Sequence, residues 1–454
     1  MDNENNKCGW LKISSEEKNE IFDFCSDYMQ FLNEVKTERE STYFIRETLI
    51  NSGYKDINSL EVLKPGDKVF YINKNKSIYA AIIGSNPLLM GFNIIGSHVD
   101  SPRLDLKPRP LYEDINQALF KTHYYGGIKK YQWTCIPLSM RGVIVKASGD
   151  IINLNVGEKE GDPTFTITDL LPHLSTKQNA KKLSEAIEGE NLNVLIGNMP
   201  LDEKEGVREN VLHILKERYG IDKKDFLSAE IEFVPAFKAK NLGFDESMIA
   251  GYGQDDRVCA YTSLMALINT NNPRTTCVGI FADKEEIGSM GNTGMMSSAF
   301  DTFIINMITK TGNNPYMVNE MFCNSKMLSA DVGAGVDPMY QDVSDLHNSS
   351  FIGCGVELNK YTGSGGKSGA SDANAEFVGY IRSILESNDI SYQVSELGKV
   401  DLGGGGTIAY ILANKGIDVI DCGVPILSMH SPYEVASKFD IYMAYKTYHA
   451  FFNN

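Results

Sequence analysis

Short apolar runs recur along this chain, and they constrain its fold more than any other feature of the sequence. Three examples span residues 77–83, 91–96 and 276–282, each bounded by glycine, asparagine, proline or charged residues. Apolar runs of this length are typical of strands that are buried on both faces, as in a parallel sheet covered by helices. The sequence therefore predicts an α/β fold in which helices sandwich a mostly parallel sheet.

Helical periodicity accounts for much of the chain between these runs. Ser14 and Glu17 match a capping box, and apolar residues at helical spacing follow them, so we expect a long helix to open the fold. Further helices are expected over residues 292–311, after the third apolar run, and over residues 435–452, at the end of the chain. This succession of strands and helices supports the α/β assignment.

The pattern changes between residues 106 and 236. Alternating apolar and polar residues over 140–156, glycine-containing turns and a lysine- and glutamate-rich stretch over 177–216 replace the α/β succession. Because a chain of 454 residues is more often two domains than one, we interpret residues 106–236 as an inserted, β-rich domain that serves assembly or covers a cleft. Residues 1–105 and 237–454 then form one discontinuous domain.

Charge and cysteine content exclude several classes of function. The formal net charge of -16 argues against nucleic acid or an anionic membrane surface as a partner, because both select basic surfaces. Residues 1–7 are polar and acidic, and no apolar run reaches the length of a membrane span, so we expect a cytoplasmic protein. The eight cysteines contain no C-x-x-C pair, which favours reduced thiols. Any metal ion must therefore be bound by histidine, aspartate and glutamate.

Two adjacent carboxylates, Glu285 and Glu286, follow the third apolar run. Successive side chains at the end of a strand point in different directions, so one carboxylate could bind a metal ion while the other transfers protons. Taken alone, the pair is more typical of a solvated turn. Its interpretation therefore depends on the residues at the ends of the other predicted strands.

Histidine and aspartate stand at other strand and helix ends. Asp100, two residues after His98, can accept a hydrogen bond from one ring nitrogen and leave the other nitrogen for a metal ion. A hydrogen-bonded structural histidine is the simpler alternative. Asp255 and Asp256 precede a helical segment, for which an N-cap is the simpler interpretation. None of these residues is decisive by itself.

Five candidate ligands share one position in the predicted fold, since ligands of an open α/β sheet gather beyond the carboxyl ends of its strands. They are His98, Asp255, Glu286, Asp331 and His430. Two histidines and three carboxylates suit a pair of first-row divalent ions, Zn2+ above all, with Co2+ or Mn2+ as alternatives. A bridging carboxylate, assigned to Asp255, would hold two such ions about 3.5–4 Å apart. Glu285 is then left to act as general base.

These residues stand in motifs that resemble one known family. The motifs are Gly-Ser-His98-Val-Asp100-Ser-Pro-Arg-Leu, Gln-Asp255-Asp256-Arg, Asp-Lys-Glu285-Glu286-Ile-Gly-Ser, Ser-Ala-Asp331 and Ser-Met-His430-Ser-Pro-Tyr-Glu434. Together they resemble the aspartyl-aminopeptidase type of dinuclear zinc exopeptidase, metallopeptidase family 18. The resemblance extends over nearly the whole chain in the same order, and the set of motifs is highly specific.

The resemblance implies a zinc-exopeptidase fold whose catalytic domain is interrupted by a β-rich dimerisation domain. It also implies a homo-oligomer, a hollow tetrahedral dodecamer built from dimers. The implied ligands are His98, Asp255 and Asp331 for one zinc ion and Asp255, Glu286 and His430 for the other. In such enzymes the peptide bond after the bridging aspartate is often cis, which here is the bond between Asp255 and Asp256.

One residue of the insert gains a role from the resemblance. The motif Leu-Pro-His173-Leu corresponds to a histidine that family members project into the active site of a neighbouring subunit, where it assists catalysis. A role of His173 as a zinc ligand is the alternative, and the sequence leaves both open.

The implied activity is removal of the N-terminal residue from peptides with a free N-terminus. Glycine-rich segments at 363–369 and 403–406 are expected to line the substrate pocket. The expected substrate-binding residues are Lys360, Lys367, Gly405 and Thr407. Acid-specific family members carry a histidine shortly after the position of Asp331, whereas this chain has Ala334, so the preferred N-terminal residue stays open.

Two other functions remain open at this point. The donor set suits any dinuclear amidohydrolase, such as a deacylase of N-acyl amino acids, which would cleave N-acetylated substrates rather than free-amine peptides. A self-assembling scaffold without catalytic activity is an alternative of another class, although a complete set of ligands and a base has no purpose in it.

Overall fold

The computed structural model describes residues 8–454; the polar, acidic stretch 1–7 lies outside the described residues. Contacts between backbone positions divide the chain into two units. The first comprises the chain up to Asp100, Ala239–Met429 and Tyr433–Asn454, and the second comprises Ser101–Lys238 and His430–Pro432. All eight cysteines are free thiols.

Residues 8–454 contain eleven α-helices. They are α1 (Ser15–Glu34), α2 (Glu38–Asn51), α3 (Thr176–Asn179), α4 (Leu183–Ala186), α5 (Val207–Tyr219), α6 (Gln254–Asn269), α7 (Ala299–Lys310), α8 (Val318–Cys323), α9 (Ala375–Ser387), α10 (Ala409–Ala413) and α11 (Lys438–Phe452). The predicted start of α1 is confirmed, because the hydroxyl of Ser14 accepts a hydrogen bond from the backbone N–H of Glu17 at 3.1 Å. Within the described part of the chain, no helix combines the length and the apolar character needed to cross a membrane.

The strands of the described chain are mostly short. They are β1 (Lys55–Asp56), β2 (Lys68–Asn73), β3 (Ser77–Ile82), β4 (Phe92–His98), β5 (Arg103–Asp114), β6 (Gln117–Tyr125), β7 (Leu138–Val145), β8 (Ile151–Val156), β9 (Val194–Gly197), β10 (Ala229–Pro235), β11 (Lys240–Leu242), β12 (Met248–Gly251), β13 (Thr276–Ala282), β14 (Lys326–Ser329), β15 (Gly333–Ala334), β16 (Val356–Asn359), β17 (Gly363–Ser364), β18 (Tyr392–Val394), β19 (Gly404–Gly405), β20 (Asp418–Gly423), β21 (Pro425–Leu427) and β22 (Glu434–Ser437). The three apolar runs of the sequence form β3, β4 and β13, which confirms that prediction.

A nine-stranded sheet forms the centre of the first unit, with the strand order β1-β2-β3-β13-β4-β14-β20-β16-β18. The four strands β13, β4, β14 and β20 run parallel to one another. Their outer neighbours β3 and β16 run antiparallel to them. The fold is therefore mixed α/β, and its four central parallel strands place their carboxyl ends at one edge of the sheet.

Side chains of the central strands alternate between two hydrophobic clusters. In β3, Ile78 and Ala80 join a cluster with side chains of α1, α2, α6, α9 and α11. Tyr79 and Ala81 join a second cluster with side chains of α7, α8 and α10. Because successive residues of a strand point to opposite faces, the two clusters lie on opposite faces of the sheet.

Two further sheets have different strand patterns. A five-stranded sheet of the first unit has the order β11-β12-β22-β21-β15, in which β21 and β15 are parallel and the other pairs are antiparallel. The second unit contains a six-stranded sheet of order β8-β7-β10-β5-β6-β9, in which every pair is antiparallel. A clean antiparallel sheet of this kind needs no crossover helices between its strands.

Two predicted helices begin later than expected. Residues 292–298 form a loop before α7. In this loop the hydroxyl of Thr293 donates to the carboxylate of Asp283 at 2.5 Å, and the backbone of Gly294 forms an isolated β-bridge with Asp283. Residues 435–437 belong to β22, which pairs with β12, and α11 begins at Lys438. In both places contacts to residues outside the segment prevail over its local helical periodicity, so these parts of the prediction were wrong.

Candidate active site

Three neighbouring parallel strands of the nine-stranded sheet end side by side. His98 is the last residue of β4 and pairs with Ala282, the last residue of β13. On the other side of β4, Ser329 ends β14, and Asp331 follows two residues later. The carboxyl ends of these strands therefore bring the residues that follow them into one region of the first unit.

A histidine and two carboxylates form a candidate ligand group in this region. His98, Asp255 and Asp331 offer ligand atoms that all lie within 4.8 Å of one another. Nε2 of His98 is 3.3 Å from Oδ1 of Asp255 and 3.8 Å from Oδ1 of Asp331. Two of the three side chains are buried and that of Asp331 is half-buried. One nitrogen and two oxygen donors in this arrangement fit a zinc ion.

The ring of His98 is oriented through its other nitrogen. Nδ1 lies 3.0 Å from the backbone carbonyl oxygen of Asp100 and 3.3 Å from Oδ1 of the same residue. Both oxygens accept hydrogen bonds, so Nδ1 carries the proton. In the neutral ring the lone pair then belongs to Nε2, which faces the carboxylates, and this is the tautomer that a metal ligand requires.

The carboxylate of Asp100 also fixes the turn that carries the two adjacent glutamates. The backbone N–H of Glu285 donates to Oδ1 at 3.1 Å, and that of Glu286 donates to Oδ2 at 3.2 Å. These residues open the 3-10 turn Glu285–Ile287, whose first N–H groups point out of the turn. The fully buried Asp100 therefore connects His98 to both glutamates.

Glu285 and Glu286 take different positions next to the ligand group. Oε2 of Glu285 lies 3.8 Å from Nε2 of His98. Glu286 instead offers an oxygen within 4.8 Å of a carboxylate oxygen of Asp255. Both glutamates are half-buried, so the pair faces the ligand group and does not form an isolated solvated turn.

Negative charge is concentrated in this region. Burial lowers the pKa of His98, but hydrogen bonds to Asp100 and Asp255 and the charge of Asp331 outweigh burial and raise the pKa well above its ordinary value. Burial raises the pKa of the Asp331 carboxyl well above its usual range, and the charge of Asp256 adds to this shift. The direction for His98 shows that the surrounding carboxylates stabilise added positive charge, as a divalent cation would supply.

Two buried carboxylates without a predicted role hold the backbone of the candidate ligands. Asp256 accepts a hydrogen bond from the backbone N–H of His98 at 3.2 Å, and Glu434 accepts one from that of Asp255 at 3.1 Å. The peptide bond between Asp255 and Asp256 is cis, as the resemblance implies. Sequence position could have indicated both residues, since Asp256 adjoins a predicted ligand and Glu434 stands in the motif around His430.

The two remaining predicted histidines belong to the second unit. Nδ1 of His430, which follows β21, lies 2.8 Å from the carbonyl oxygen of Gly127. Because a carbonyl oxygen only accepts, Nδ1 carries the proton and Nε2 keeps the lone pair. His173 lies on the exposed 3-10 turn Pro172–Leu174.

The residues expected to bind substrate lie on or beside two glycine-rich segments that pair with each other. Residues 363–364 of β17 pair antiparallel with residues 404–405 of β19. Nζ of Lys360 lies 2.8 Å from Oδ1 of Asp372, and Nζ of Lys367 lies 3.2 Å from Oδ2 of the same residue. Two ammonium groups thus share one carboxylate, so the three side chains together carry one unbalanced positive charge.

Comparison with known proteins gives consistent results over the length of the chain. A model of the family described as aminopeptidase I zinc metalloprotease (M18) matches residues 31–452. A Clostridium acetobutylicum protein named probable M18 family aminopeptidase 1 is 49% identical over 456 residues, with 99% of this chain and 98% of that protein covered. The crystal structure of an M18 family aminopeptidase from Thermotoga maritima has a TM-score of 0.95 and 45% identity, with 98% of this chain and 99% of that chain covered.

A more distant solved structure shares the fold alone. The S. cerevisiae mApe1 dodecamer has a TM-score of 0.76 and 20% identity, with 96% of this chain and 97% of that chain covered.

Proposed function

Since the chain belongs to the aminopeptidase I zinc metalloprotease family, M18, and is a metallo-aminopeptidase, we propose that the strand-end site around His98 carries out its catalysis. The reaction is hydrolysis of the first peptide bond of a peptide with a free N-terminus. The observation that supports this site is that Nε2 of His98 has carboxylate oxygens of three different residues within 3.8 Å. Buried acidic groups at this density are expected where a metal ion binds.

Five side chains are proposed to hold two zinc ions. They are His98, Asp255 and Asp331 for one ion, and Asp255, Glu286 and His430 for the other. The tautomers of both histidines support this assignment, because each donates through Nδ1 to a carbonyl oxygen and keeps the lone pair on Nε2. Zinc bound there supplies Lewis-acid chemistry, which polarises the scissile carbonyl and makes a water molecule more acidic. Co2+ and Mn2+ are alternative occupants.

Glu285 is proposed as the general base. Its Oε2 lies 3.8 Å from Nε2 of His98, so the carboxylate stands beside the ligand group. There it takes a proton from the attacking water and passes it to the leaving amine. Asp100 positions this base by accepting the hydrogen bond from its backbone N–H.

The substrate is proposed to lie along the glycine-rich segments. The unbalanced positive charge of Lys360 and Lys367 offers attraction to a carboxylate of the substrate. This chain has Ala334 where acid-specific family members carry a histidine, so that imidazole is absent. We therefore expect acidic N-terminal residues to be accepted but not strictly required.

Assembly is proposed to complete the enzyme. Residues 106–236 would act as the dimerisation domain of a tetrahedral dodecamer in the cytoplasm, and residues 1–105 and 237–454 as the catalytic domain. The dodecameric S. cerevisiae protein of the same fold supports this proposal. So do the exposed side chains of Leu170, Leu171 and Leu174 beside His173, because exposed apolar groups favour contact with another subunit. In that contact His173 would reach a neighbouring active site.

The test combines metal analysis with a substrate panel. The protein is loaded with Zn2+, Co2+ or Mn2+ in turn, and each form is assayed on dipeptides that differ only in the first residue. Each dipeptide is paired with its N-acetylated counterpart. We expect two ions per chain and cleavage of the free-amine dipeptides only. Cleavage confined to the acetylated substrates would establish a deacylase, and no cleavage of either set by the loaded protein would favour a scaffold.

A further inference from the structure

Four consecutive glycines, residues 403–406, precede Thr407 and α10. A segment without side chains gains no packing energy and loses more conformational entropy on ordering than any other. Part of its backbone pairs with residues 363–364, and its first residue, Gly403, borders a cavity of about 130 Å³ that is lined by residues within 361–367 and 396–403. The conformation of the glycine segment therefore depends on how its other end is held.

The hydroxyl of Thr407 holds that end. Oγ1 donates to Oδ1 of Asp421 at 2.6 Å. The same oxygen accepts from the backbone N–H of Ala409 at 3.2 Å, and Oγ of Ser329 lies 3.4 Å from it. A hydroxyl has a single proton, and here Asp421 accepts it. The hydroxyl therefore has no proton left to donate to a substrate.

One of the two side-chain partners belongs to the strand that leads to the proposed ligand Asp331. Ser329 is the last residue of β14, two positions before Asp331, and it stands opposite Asp421 of β20 in the parallel register. Ser329 is fully buried and Asp421 is 3% exposed. Thr407 thus connects the glycine segment to the pair of strands from which Asp331 extends.

The acceptor is a buried carboxyl group. Burial raises the pKa of Asp421 to about 6, while its hydrogen bond from Thr407 opposes that rise. A hydrogen bond to an ionised acceptor is about twice as strong as one between neutral groups. The contact is therefore strongest when Asp421 is ionised, and it anchors one end of the glycine segment.

We propose that Thr407 is a positioning residue and not a substrate ligand: with Asp421 and Ser329 it forms a clamp that fixes the glycine segment 403–406 against the strand leading to Asp331. The backbone N–H and carbonyl groups of that segment then bind the peptide backbone of the substrate. This inference rests on the proposed function for the identity of the substrate. It changes the role expected for Thr407 from its sequence.

The first experiment compares two substitutions of one residue. Thr407→Val keeps the shape of the side chain and removes the hydroxyl, whereas Thr407→Ser keeps the hydroxyl. Hydrogen exchange of residues 403–406 is measured on the zinc-loaded protein, and kcat and KM are measured on a free-amine dipeptide. We expect Thr407→Val to speed exchange and raise KM about tenfold with kcat nearly unchanged, because a less ordered backbone segment binds the ground state and the transition state equally less well. Thr407→Ser should behave like the natural protein, as should Thr302→Val on the exposed face of α7.

The second experiment adds Asp421→Asn and the double variant. If the clamp exists, the two substitutions break the same contact, so the effect on KM of the double variant should equal that of Thr407→Val alone. Unchanged exchange with a raised KM, or additive effects in the double variant, would show that Thr407 binds the substrate directly and overturn the proposal. Hydrogen exchange is measured without substrate. Absence of peptidase activity would therefore contradict the proposed function, whereas the exchange rates would still test the clamp.

Discussion

The carboxylate of Asp100 contacts three groups at once. It faces Nδ1 of His98 at 3.3 Å and accepts the backbone N–H groups of Glu285 and Glu286 at 3.1 and 3.2 Å. One side chain thus sets the orientation of a ligand and the position of the base. Loss of a residue that orients a metal ligand typically lowers metal affinity about 10–100-fold.

Substitution of Asp100 by asparagine should remove part of these contacts. The amide offers one accepting oxygen where the carboxylate offers two, so at least one of the two backbone N–H groups loses its acceptor. We expect Asp100→Asn to weaken zinc binding about 10–100-fold, measured by competition with a chelator. Asp342→Asn, at an exposed position, is the matched control. Zinc affinity equal to that of the natural protein would show that Asp100 does not position the site.

A change at Glu285 should leave the metal in place. Glu285→Gln keeps the size of the side chain but cannot accept the proton of the attacking water, so we expect kcat to fall about 10²–10⁴-fold. Zinc content, measured by elemental analysis, should stay at the level of the natural protein. The exposed Glu320→Gln serves as the control. Retained turnover in the zinc-loaded variant would remove Glu285 from the role of base.

Among the structural elements, β20 limits the space behind Asp331. A methyl group added at Gly423, the last residue of β20, would lie 1.6 Å from the backbone carbonyl oxygen of Asp331. Neither backbone can yield easily, because β20 pairs with β14 on one side and β16 on the other. Gly423→Ala should therefore lower the free energy of unfolding by about 1–3 kcal/mol and displace Asp331. The midpoint temperature of thermal unfolding and the zinc content should both decrease.

The control for this substitution is another glycine of the same unit. Gly379 lies on the exposed face of α9, and no heavy atom stands within 4 Å of an added methyl group. Gly379→Ala should stabilise the helix by about 0.5–1 kcal/mol, because alanine has the higher helix propensity. If Gly423→Ala unfolds at the same temperature as the natural protein and retains its zinc, the close approach to Asp331 does not constrain the site.

The elements that sequence could predict are those with strong local signals. The apolar runs of β3, β4 and β13 and the capping box at Ser14 were confirmed because burial and capping act within one segment. Helix starts at 292 and 435 were wrong because residues 292–298 are held by Asp283 and residues 435–437 by β12. Pairing over long distances in the chain leaves no local pattern.

The candidate site likewise contains positions that the sequence could predict and contacts that it could not. Strand-end positions indicated His98 and Asp331 as neighbours, since parallel strands deliver their ends to one edge, whereas Asp255 stands at the start of α6. The hydrogen bond of the Thr407 hydroxyl could not be predicted, because its acceptor Asp421 lies on a different strand and is separated from it by α10. Backbone contacts such as that of Asp256 also depend on the folded chain.

At the scale of the whole molecule, the two units differ in their sheets. The first has parallel central strands with clusters on both faces, an arrangement that buries a sheet completely. The second has an antiparallel sheet throughout, a type that can leave one face to solvent or to a partner. The assembly role that we propose for residues 106–236 draws on this difference.

An oligomer that shares its active sites should show complementation between inactive variants. Glu285→Gln removes the base from its own subunit but leaves His173 intact, whereas His173→Ala retains the base. If His173 acts on a neighbouring subunit, a His173→Ala subunit regains a complete site whenever its neighbour is Glu285→Gln. Co-expression at equal amounts should then restore about one quarter of the natural activity, as expected for random pairing across a symmetric contact.

The control for complementation is a mixture of two variants whose substitutions both lie in the first structural unit. Glu285→Gln co-expressed with His98→Ala should stay inactive, because neither subunit can supply both the ligand and the base to one site. Mass measurement of each mixture must show the same dodecamer, about twelve times the 50.4 kDa of the chain. An active His173→Ala variant, or an inactive mixture of correct mass, would show that His173 does not act on a neighbouring subunit. Restored activity in the first mixture alone would instead establish that each active site is built from two chains, so that peptidase activity requires assembly.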